Sequence, residues 1–342
     1  MTEPPSGTKP PGVVPAFVFS QPRTGSTLLQ RMLAAHPAVS TAAETWLLLP
    51  LLFARRRRDG FSRYGHFAGA SAVGRFVNAA EDGEQRWDRC VRDLASALYA
   101  AALGPGEHVF VDKTPRYYYI VEDVMRIFPD GRFLFLWRNP LATLASIIEI
   151  WGDGVWRPAR MRDDIELAPR MLASAARAAG AKACPVRFED LVSQPEAELH
   201  RLLDALGVNQ DDETVRGMID GFSGVKLTGN MGDPTGRKKY KSLSSEPLDK
   251  WKATICNGLR KRWCKRYLDR LGDDVLETMG YDPQQLHRDL AALPVTGKKT
   301  LVDLAAQPRV ALEARLKETL FTAKPLAMLK KPPIRPPPPI FP

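Results

Sequence analysis

Residues 17–29 are Phe-Val-Phe-Ser-Gln-Pro-Arg-Thr-Gly-Ser-Thr-Leu-Leu, and this stretch decides the fold of the chain. Its apolar beginning predicts a short buried strand over Ala16–Ser20, and the following residues predict a tight turn and then a helix over Ser26–Ala35. The turn and the helix N-terminus together present backbone N–H groups and the positive end of a helix dipole. The stretch therefore predicts a binding site for phosphate or sulfate.

The same loop departs from the Walker A nucleotide loop, G-x-x-x-x-G-K-[ST], at two positions. Ser20 takes the place of the first glycine, and Ser26 takes the place of the lysine. Arg23 offers a bidentate guanidinium instead, and Gly25 lets the backbone approach an anion. Ser26 and Thr27 add hydroxyl donors. The alternative is an ordinary strand-to-helix turn that a serine or threonine caps.

Strands and helices alternate along the rest of the chain. Further strands are predicted at His108–Val111, Arg132–Trp137 and Cys184–Phe188, and further helices at Arg116–Phe128, Leu141–Ile150, Pro195–Leu206 and between Pro247 and Met279. This alternation predicts an α/β fold, a parallel sheet with helices on both faces. Residues 46–104 and 155–180 are predicted to be helical and to cap the carboxyl edge of the sheet. Residues 225–245, rich in glycine and lysine, are predicted to form a loop.

Composition limits the function classes without selecting one. The 342 residues are 44% hydrophobic, enough for a large core, and the formal net charge of +10 suits an anionic ligand, a nucleic acid or a membrane surface. We find no apolar run long enough to span a bilayer and no signal peptide. The four cysteines show no C-x-x-C spacing, which indicates reduced thiols rather than disulfides or metal ligands. These features predict a cytoplasmic protein with no stable membrane span.

Three ordered motifs resemble those of sulfotransferases that use 3′-phosphoadenosine 5′-phosphosulfate (PAPS). Pro22–Leu29 resembles their 5′-phosphosulfate loop, P-[RK]-[ST]-G-[ST]-T. Phe128–Pro140 resembles their second signature, a strand that ends in Arg-Asp-Pro or Arg-Asp-Gly and is followed by a helix with a serine eight residues after the arginine. Val186–Leu191, with Pro195 after it, resembles the "YEDL…P" segment. The resemblance implies a P-loop-like three-layer fold with helical insertions on the acceptor side.

The resemblance also implies domain limits. It covers about residues 16–280, so we expect a flexible, proline-rich lead-in over 1–15 and a sulfotransferase domain over 16–282. Residues 283–342 are predicted to be a C-terminal extension. Within it, Val310–Ala323 is predicted to form an amphipathic helix, and Pro332–Pro342 favours polyproline II, which suits either a disordered end or docking of a partner.

The resemblance implies which residues bind the donor, and they form two separated anion sites. The phosphosulfate is expected to lie against Arg23, Thr24, Gly25, Ser26 and Thr27, and the 3′-phosphate against Arg138 and Ser146, with Lys250 from the late basic segment closing over the nucleotide. PAPS is thus the expected co-substrate and 3′-phosphoadenosine 5′-phosphate (PAP) the product. No metal is expected, since the cations are side chains.

Two further residues carry the expected chemistry. Glu44 lies 21 residues after Arg23, similar to the catalytic glutamate of protein-tyrosine and several bacterial sulfotransferases, and is assigned as the base. Lys113, in Val111-Asp-Lys-Thr-Pro115, resembles the lysine that contacts the bridging oxygen. The chain departs from the family pattern at Asn139, usually aspartate, and at Phe188, often tyrosine. Both departures weaken any claim that this chain shares the acceptor of the protein-tyrosine enzymes.

The predicted activity is transfer of a sulfuryl group from PAPS to a hydroxyl of a small molecule, sugar, lipid or carrier-bound intermediate. The alternatives are a P-loop kinase, which the missing Walker lysine disfavours, and a nucleotide-binding protein without catalysis. Nucleic-acid binding through Arg55–Arg58 is not expected, because no interleaved aromatic residues accompany this run. The acceptor and the oligomeric state have no motif in the sequence.

Overall fold

A computed structural model describes residues 12–54, 66–227 and 246–306. Its five strands are β1 (Val14–Ser20), β2 (Val39–Thr41), β3 (Val109–Asp112), β4 (Arg132–Trp137) and β5 (Ala183–Arg187). They form one sheet in the order β2-β3-β1-β4-β5, and every neighbouring pair is parallel. The predicted α/β fold with a central parallel sheet is confirmed.

Helices cover both faces of this sheet. They are α1 (Ser26–Leu33), α2 (Leu48–Phe53), α3 (His66–Val77), α4 (Gly83–Ala101), α5 (Val121–Ile127), α6 (Pro140–Trp151), α7 (Ala168–Ala179), α8 (Phe188–Ser193), α9 (Pro195–Leu206), α10 (Asp212–Gly221), α11 (Glu246–Thr254), α12 (Gly258–Leu271), α13 (Asp273–Thr278) and α14 (Pro283–Ala292). Residues 300–306 are also helical. A π-helical turn, Asp163–Leu167, precedes α7.

The strands divide the core into two halves because successive side chains point to opposite faces. In β1, Phe17 and Phe19 pack into an aromatic half with α4, α5, α6 and α7. Ala16 and Val18 pack into an aliphatic half with α1, α9 and α10. The β1 side chains are buried on both faces, which is why its sequence is a continuous apolar run rather than an alternating one.

Most predicted elements lie within two residues of their observed bounds, and β4 and α9 match fully. Three details differ. The short strand β2 was not predicted, the predicted helix over Arg116–Phe128 begins as a 3-10 turn before α5, and Phe188 begins α8 instead of ending β5. The four cysteines form no disulfide with one another: Cys90 is exposed, Cys184 is half-buried, and Cys256 and Cys264 are buried.

Several predictions fall on residues that the structure does not describe. These are most of the lead-in over 1–15, the run Arg55–Arg58, most of the loop over 225–245, the helix Val310–Ala323 and the segment Pro332–Pro342. Within the described ranges, no helix has both the length and the apolar character needed to cross a membrane. The predicted domain limits stay predictions.

Candidate active site

The loop between β1 and α1 has the backbone conformation of an anion-binding turn. Arg23 and Gly25 both have positive φ angles, 71° and 95°. Thr24 Oγ1 donates a hydrogen bond to the Gln21 carbonyl oxygen at 2.9 Å, which fastens the turn. No side chain of the described residues caps the N-terminus of α1. The alternative of a serine- or threonine-capped turn is therefore not what the structure shows, and the first amides of α1 suit an anion.

Phe188 explains why residue 25 is glycine. A Cβ atom at Gly25 would lie 2.3 Å from Phe188 Cδ2 and 2.5 Å from Cε2, well inside van der Waals contact. Arg138 also lies against this buried ring, with its guanidinium carbon 4.7 Å from the ring centroid. The phenyl group at this departure from the family pattern thus packs between the loop and the second signature.

The structure brings Arg23, Arg138 and Ser146 together, although 123 residues separate the first from the last. Arg138 is 8% exposed, and its Nη1 donates to the Arg23 carbonyl oxygen at 3.0 Å. Arg23 Nε donates to Ser146 Oγ on α6 at 3.4 Å. The two predicted anion sites are therefore adjacent, and the Arg23 side chain reaches from the first toward the second.

Asn139 preserves the function that an aspartate would have at the start of α6. Its Oδ1 accepts hydrogen bonds from the amides of Leu141 at 2.9 Å and Ala142 at 3.3 Å, which caps the helix. The backbone N–H of Asn139 donates to Glu189 Oε1 at 2.9 Å, and the Tyr281 hydroxyl donates to Glu189 Oε2 at 2.6 Å. Glu189 of the third motif therefore supports the second signature. The motif marked Glu189, but nothing in the sequence marked Tyr281.

Glu44 and Lys113 form an ion pair with 3.2 Å between Oε1 and Nζ. Their side chains are 12% and 2% exposed, so both charges are largely removed from water. The second carboxylate oxygen of Glu44 accepts a hydrogen bond from Trp46 Nε1 at 3.2 Å. Glu44 follows β2 and Lys113 follows β3, and these strands are neighbours in the sheet. The predicted base and the predicted cation are therefore in direct contact.

The remaining predicted site residues are less closely tied to this cluster. Ser26 and Thr27 lie buried in the first turn of α1. Lys250 is exposed on α11, and α11 packs against the helix that carries Ser146. The described part of the chain contains no cluster of His, Cys, Asp and Glu side chains that would hold a metal ion.

The segment over 155–180, which the sequence predicts to be a helical cap, contacts the loop between β1 and α1. Gln21 Nε2 donates to the Asp164 carbonyl oxygen at 2.9 Å, in the π-helical turn before α7. The Asp164 carboxylate accepts from the Tyr118 hydroxyl at 2.8 Å and pairs with Arg116 at 3.1 Å. Burial, and then the charge of Asp164, raise the pKa of Tyr118 well above its usual value, so this hydroxyl remains a donor. These bonds fix the turn against the loop.

The sequence profile of the sulfotransferase family matches residues 15–212, more than half of the chain, and the chain belongs to this family. Its relatives include nodulation protein NoeE of Sinorhizobium fredii, 28% identical over 312 residues, with 82% of this chain and 69% of NoeE covered. Protein-tyrosine sulfotransferase A of Caenorhabditis elegans is 23% identical over 275 residues, with 78% of this chain and 67% of that protein covered.

A solved structure supports the same fold. The sulfotransferase domain of the olefin synthase from Synechococcus PCC 7002 superimposes with a TM-score of 0.51 at 24% sequence identity. The match covers 82% of this chain and 99% of that domain. At this identity the likeness concerns the architecture, which agrees with the P-loop-like arrangement of the five strands.

Proposed function

We propose that this chain transfers the sulfuryl group of PAPS to a hydroxyl acceptor. The observation that carries the proposal is the chain of contacts from Arg138 through Arg23 to Ser146, beside the uncapped N-terminus of α1. Two arginines, a serine hydroxyl and free helix amides at one sheet edge suit a ligand with two anionic groups. Ligands of such sheets bind outside the carboxyl ends of the strands, where these residues lie.

The donor fits the residues in a definite order. The phosphosulfate would lie at the first turn of α1, against the amides and hydroxyls of Ser26 and Thr27, and Thr24 holds that turn. Arg138 and Ser146 would hold the 3′-phosphate. Arg23 lies between the two groups, and Lys250 on α11 would approach from the nucleotide side.

The Glu44–Lys113 pair supplies the groups that sulfuryl transfer requires. The acceptor oxygen forms a bond to sulfur while the bond from sulfur to the bridging oxygen breaks, and the electron pair of that bond stays on the departing 5′-phosphate. The acceptor proton passes to Glu44, and the positive charge of Lys113 offsets the charge on the leaving oxygen. The ion pair holds the two groups 3.2 Å apart, which supports the proposal that they act on the same reacting atoms. Burial of the pair strengthens its electrostatic effect, because water screens it poorly there.

A hydroxyl acceptor agrees with the relatives, since the protein-tyrosine sulfotransferases are named for a phenolic side chain. The proposed acceptor is therefore a molecule that carries a hydroxyl group. The segment over 46–104 would contribute to its binding, because α2 begins four residues after Glu44.

The proposal is tested first by binding. Calorimetry with PAP and with ATP should show saturable binding of PAP only. Tight binding of ATP without PAP would favour a kinase instead.

Turnover is tested with radiolabelled PAPS and 2-naphthol. Glu44→Gln keeps the size of the side chain but removes its charge and replaces one acceptor oxygen by an NH2 group, and should lower transfer by about 10²- to 10⁴-fold with PAP affinity unchanged. If the wild type binds PAP but shows no turnover with any acceptor of a panel of phenols, sugars, lipids and carrier-bound hydroxyls, a nucleotide-binding protein without catalysis is favoured.

A further inference from the structure

A fully buried carboxylate lies directly beside the ion pair of the proposed active site. Asp112 is the last residue of β3, adjoins Lys113 in the chain and is 0% exposed. Its oxygens accept three hydroxyl hydrogen bonds, from Tyr99 at 2.6 Å, Thr45 at 2.7 Å and Tyr117 at 2.8 Å. A buried carboxylate with three hydroxyl donors is costly to place, so its role needs an explanation beyond packing.

Two of these hydroxyls belong to a network that holds the segment after Glu44. The Leu47 amide donates to Thr45 Oγ1 at 3.3 Å, and the Leu48 amide donates to the Tyr117 hydroxyl at 3.3 Å. Just before them in the chain, the Trp46 amide donates to Thr114 Oγ1 at 3.1 Å. Three successive amides therefore bond to side-chain hydroxyls, two of which are themselves bonded to Asp112.

The backbone of this segment requires such support. Trp46 has a φ of 54°, a left-handed conformation that a bulky side chain rarely adopts. The same Trp46 donates its indole N–H to Glu44 Oε2. The hydroxyl network thus keeps residues 45–48 in the one conformation that places Trp46 against the carboxylate of Glu44.

Charge reinforces the arrangement. Burial raises the pKa of Asp112, and the hydrogen bonds from Tyr99, Thr45 and Tyr117 with the charge of Lys113 offset this only in part. Burial and then the charge of Asp112 raise the pKa of both tyrosines, so both remain protonated donors. Lys113 has two carboxyl groups near it: Asp112 is the preceding residue in the chain, and Glu44 is its partner in the ion pair.

We propose that Asp112 is a positioning residue of sulfuryl transfer, which orients Glu44 through Thr45 and Tyr117 and anchors the strand end that presents Lys113. This inference rests on the proposed function. Asp112 touches neither donor nor acceptor in this role. It acts only by fixing the base and the cation in relation to each other.

The test separates the network from general stability. Thr45→Val removes the hydroxyl that joins Asp112 to the base segment, and Thr45→Ser keeps it. The control is Thr278→Val, which removes another half-buried hydroxyl with two hydrogen bonds, to Asp274 and from Arg177, far along the chain in α13. Transfer from radiolabelled PAPS to 2-naphthol gives kcat, and calorimetry gives the Kd for PAP.

We expect Thr45→Val to lower kcat by about ten- to a hundredfold at unchanged Kd, because small misplacements of catalytic groups have effects of this size. Thr45→Ser should recover most of the turnover, and Thr278→Val should keep all of it. Asp112→Asn should behave like Thr45→Val, and Thr45→Val alone decides the matter if the asparagine variant does not fold. An active wild type with equal kcat in Thr45→Val and Thr278→Val overturns this inference alone. A wild type that neither binds PAP nor transfers overturns the proposed function and this inference with it.

Discussion

Replacing Gly25 by alanine should disable the donor loop in a way that the structure allows us to quantify. Residue 25 has a φ of 95°, which an L-residue adopts at a cost of about 1–2 kcal/mol. The added Cβ would also lie 2.3 Å from the Phe188 ring. Overpacking a well-packed site typically costs about 1–3 kcal/mol more.

The two effects add to about 2–5 kcal/mol against the native loop conformation. At about 1.4 kcal/mol per tenfold change, the smaller value already corresponds to about 30-fold weaker binding of PAP. The ring that must move also lies under the Arg138 guanidinium. The substitution should therefore weaken both predicted anion sites together, and calorimetry with PAP measures the loss.

Gly106 provides a matched control. It has a similar φ of 83°, lies in the turn before β3, and an added Cβ would meet no atom within 4 Å. Gly106→Ala should therefore cost only the backbone term and leave the Kd for PAP unchanged. If Gly25→Ala binds PAP as tightly as Gly106→Ala does, the assignment of this loop as the donor site is refuted. Partial recovery in the double variant Gly25→Ala/Phe188→Leu would show that the clash, rather than the backbone, dominates.

Three other perturbations test separate parts of the structure. Arg138→Lys loses the planar group that stacks on the Phe188 ring and should weaken PAP binding by about tenfold in calorimetry, with a loss of stability of about 0.5–2 kcal/mol in thermal unfolding. Asp303→Asn breaks a fully buried pair with Arg260 and should lower the free energy of unfolding by about 3–5 kcal/mol, whereas Asp249→Asn in an exposed pair should have no measurable effect in the same urea titration. Stability should fall as the pH rises above about 10, because burial raises the pKa of Tyr119 to about 12 and the folded state then keeps a proton that the unfolded chain loses. Tyr119→Phe should reduce this alkaline loss in urea titrations across that pH range.

The Asp303 prediction concerns a region beyond the family match. Burial raises the pKa of Asp303, but the hydrogen bonds from Arg260 and Asn257 outweigh it, and the pKa lies below its usual value. Arg260 also donates to the carbonyl oxygens of Thr254 and Gly154, at 2.8 Å each. Residues 300–306 are thus joined through one buried pair to the last residue of α11, the helix that carries Lys250, and to the turn that follows α6, the helix that carries Ser146.

The sequence predicted those parts of the fold that short-range patterns determine. The strand of residues 132–137 is apolar and bounded by charged residues, and its bounds match fully. The short strand β2 could not be predicted, because Val39–Thr41 carries only three residues of pattern, and its pairing with β3 depends on contacts about 70 residues away. Local patterns contain no information on such a pairing.

The candidate site shows the same division. Motif spacing identified Glu44 and Lys113 separately, but only the order of the strands brings them within 3.2 Å. The hydrogen bond from Tyr281 to Glu189 could not be predicted from the sequence, because 92 residues separate the two and no motif links them. The sequence shows only that Phe188 lacks the hydroxyl of the usual tyrosine. The structure shows that its ring packs against Gly25 and leaves no space for a Cβ atom there.

The strand order also gives the proposed reaction a direction. From β2 through β3, β1 and β4 to β5, the sheet edge presents Glu44, Lys113, Arg23, Arg138 and Glu189 in that order. The Glu44–Lys113 ion pair therefore lies at one end of the row and the predicted 3′-phosphate site toward the other, with Arg23 between them. With the nucleotide bound as proposed along the rest of the edge, an acceptor that donates its proton to Glu44 would approach from the β2 side. The helices α2, α3 and α4 are inserted between β2 and β3, at the Glu44 end of the row, and we propose that they form the acceptor side of the site.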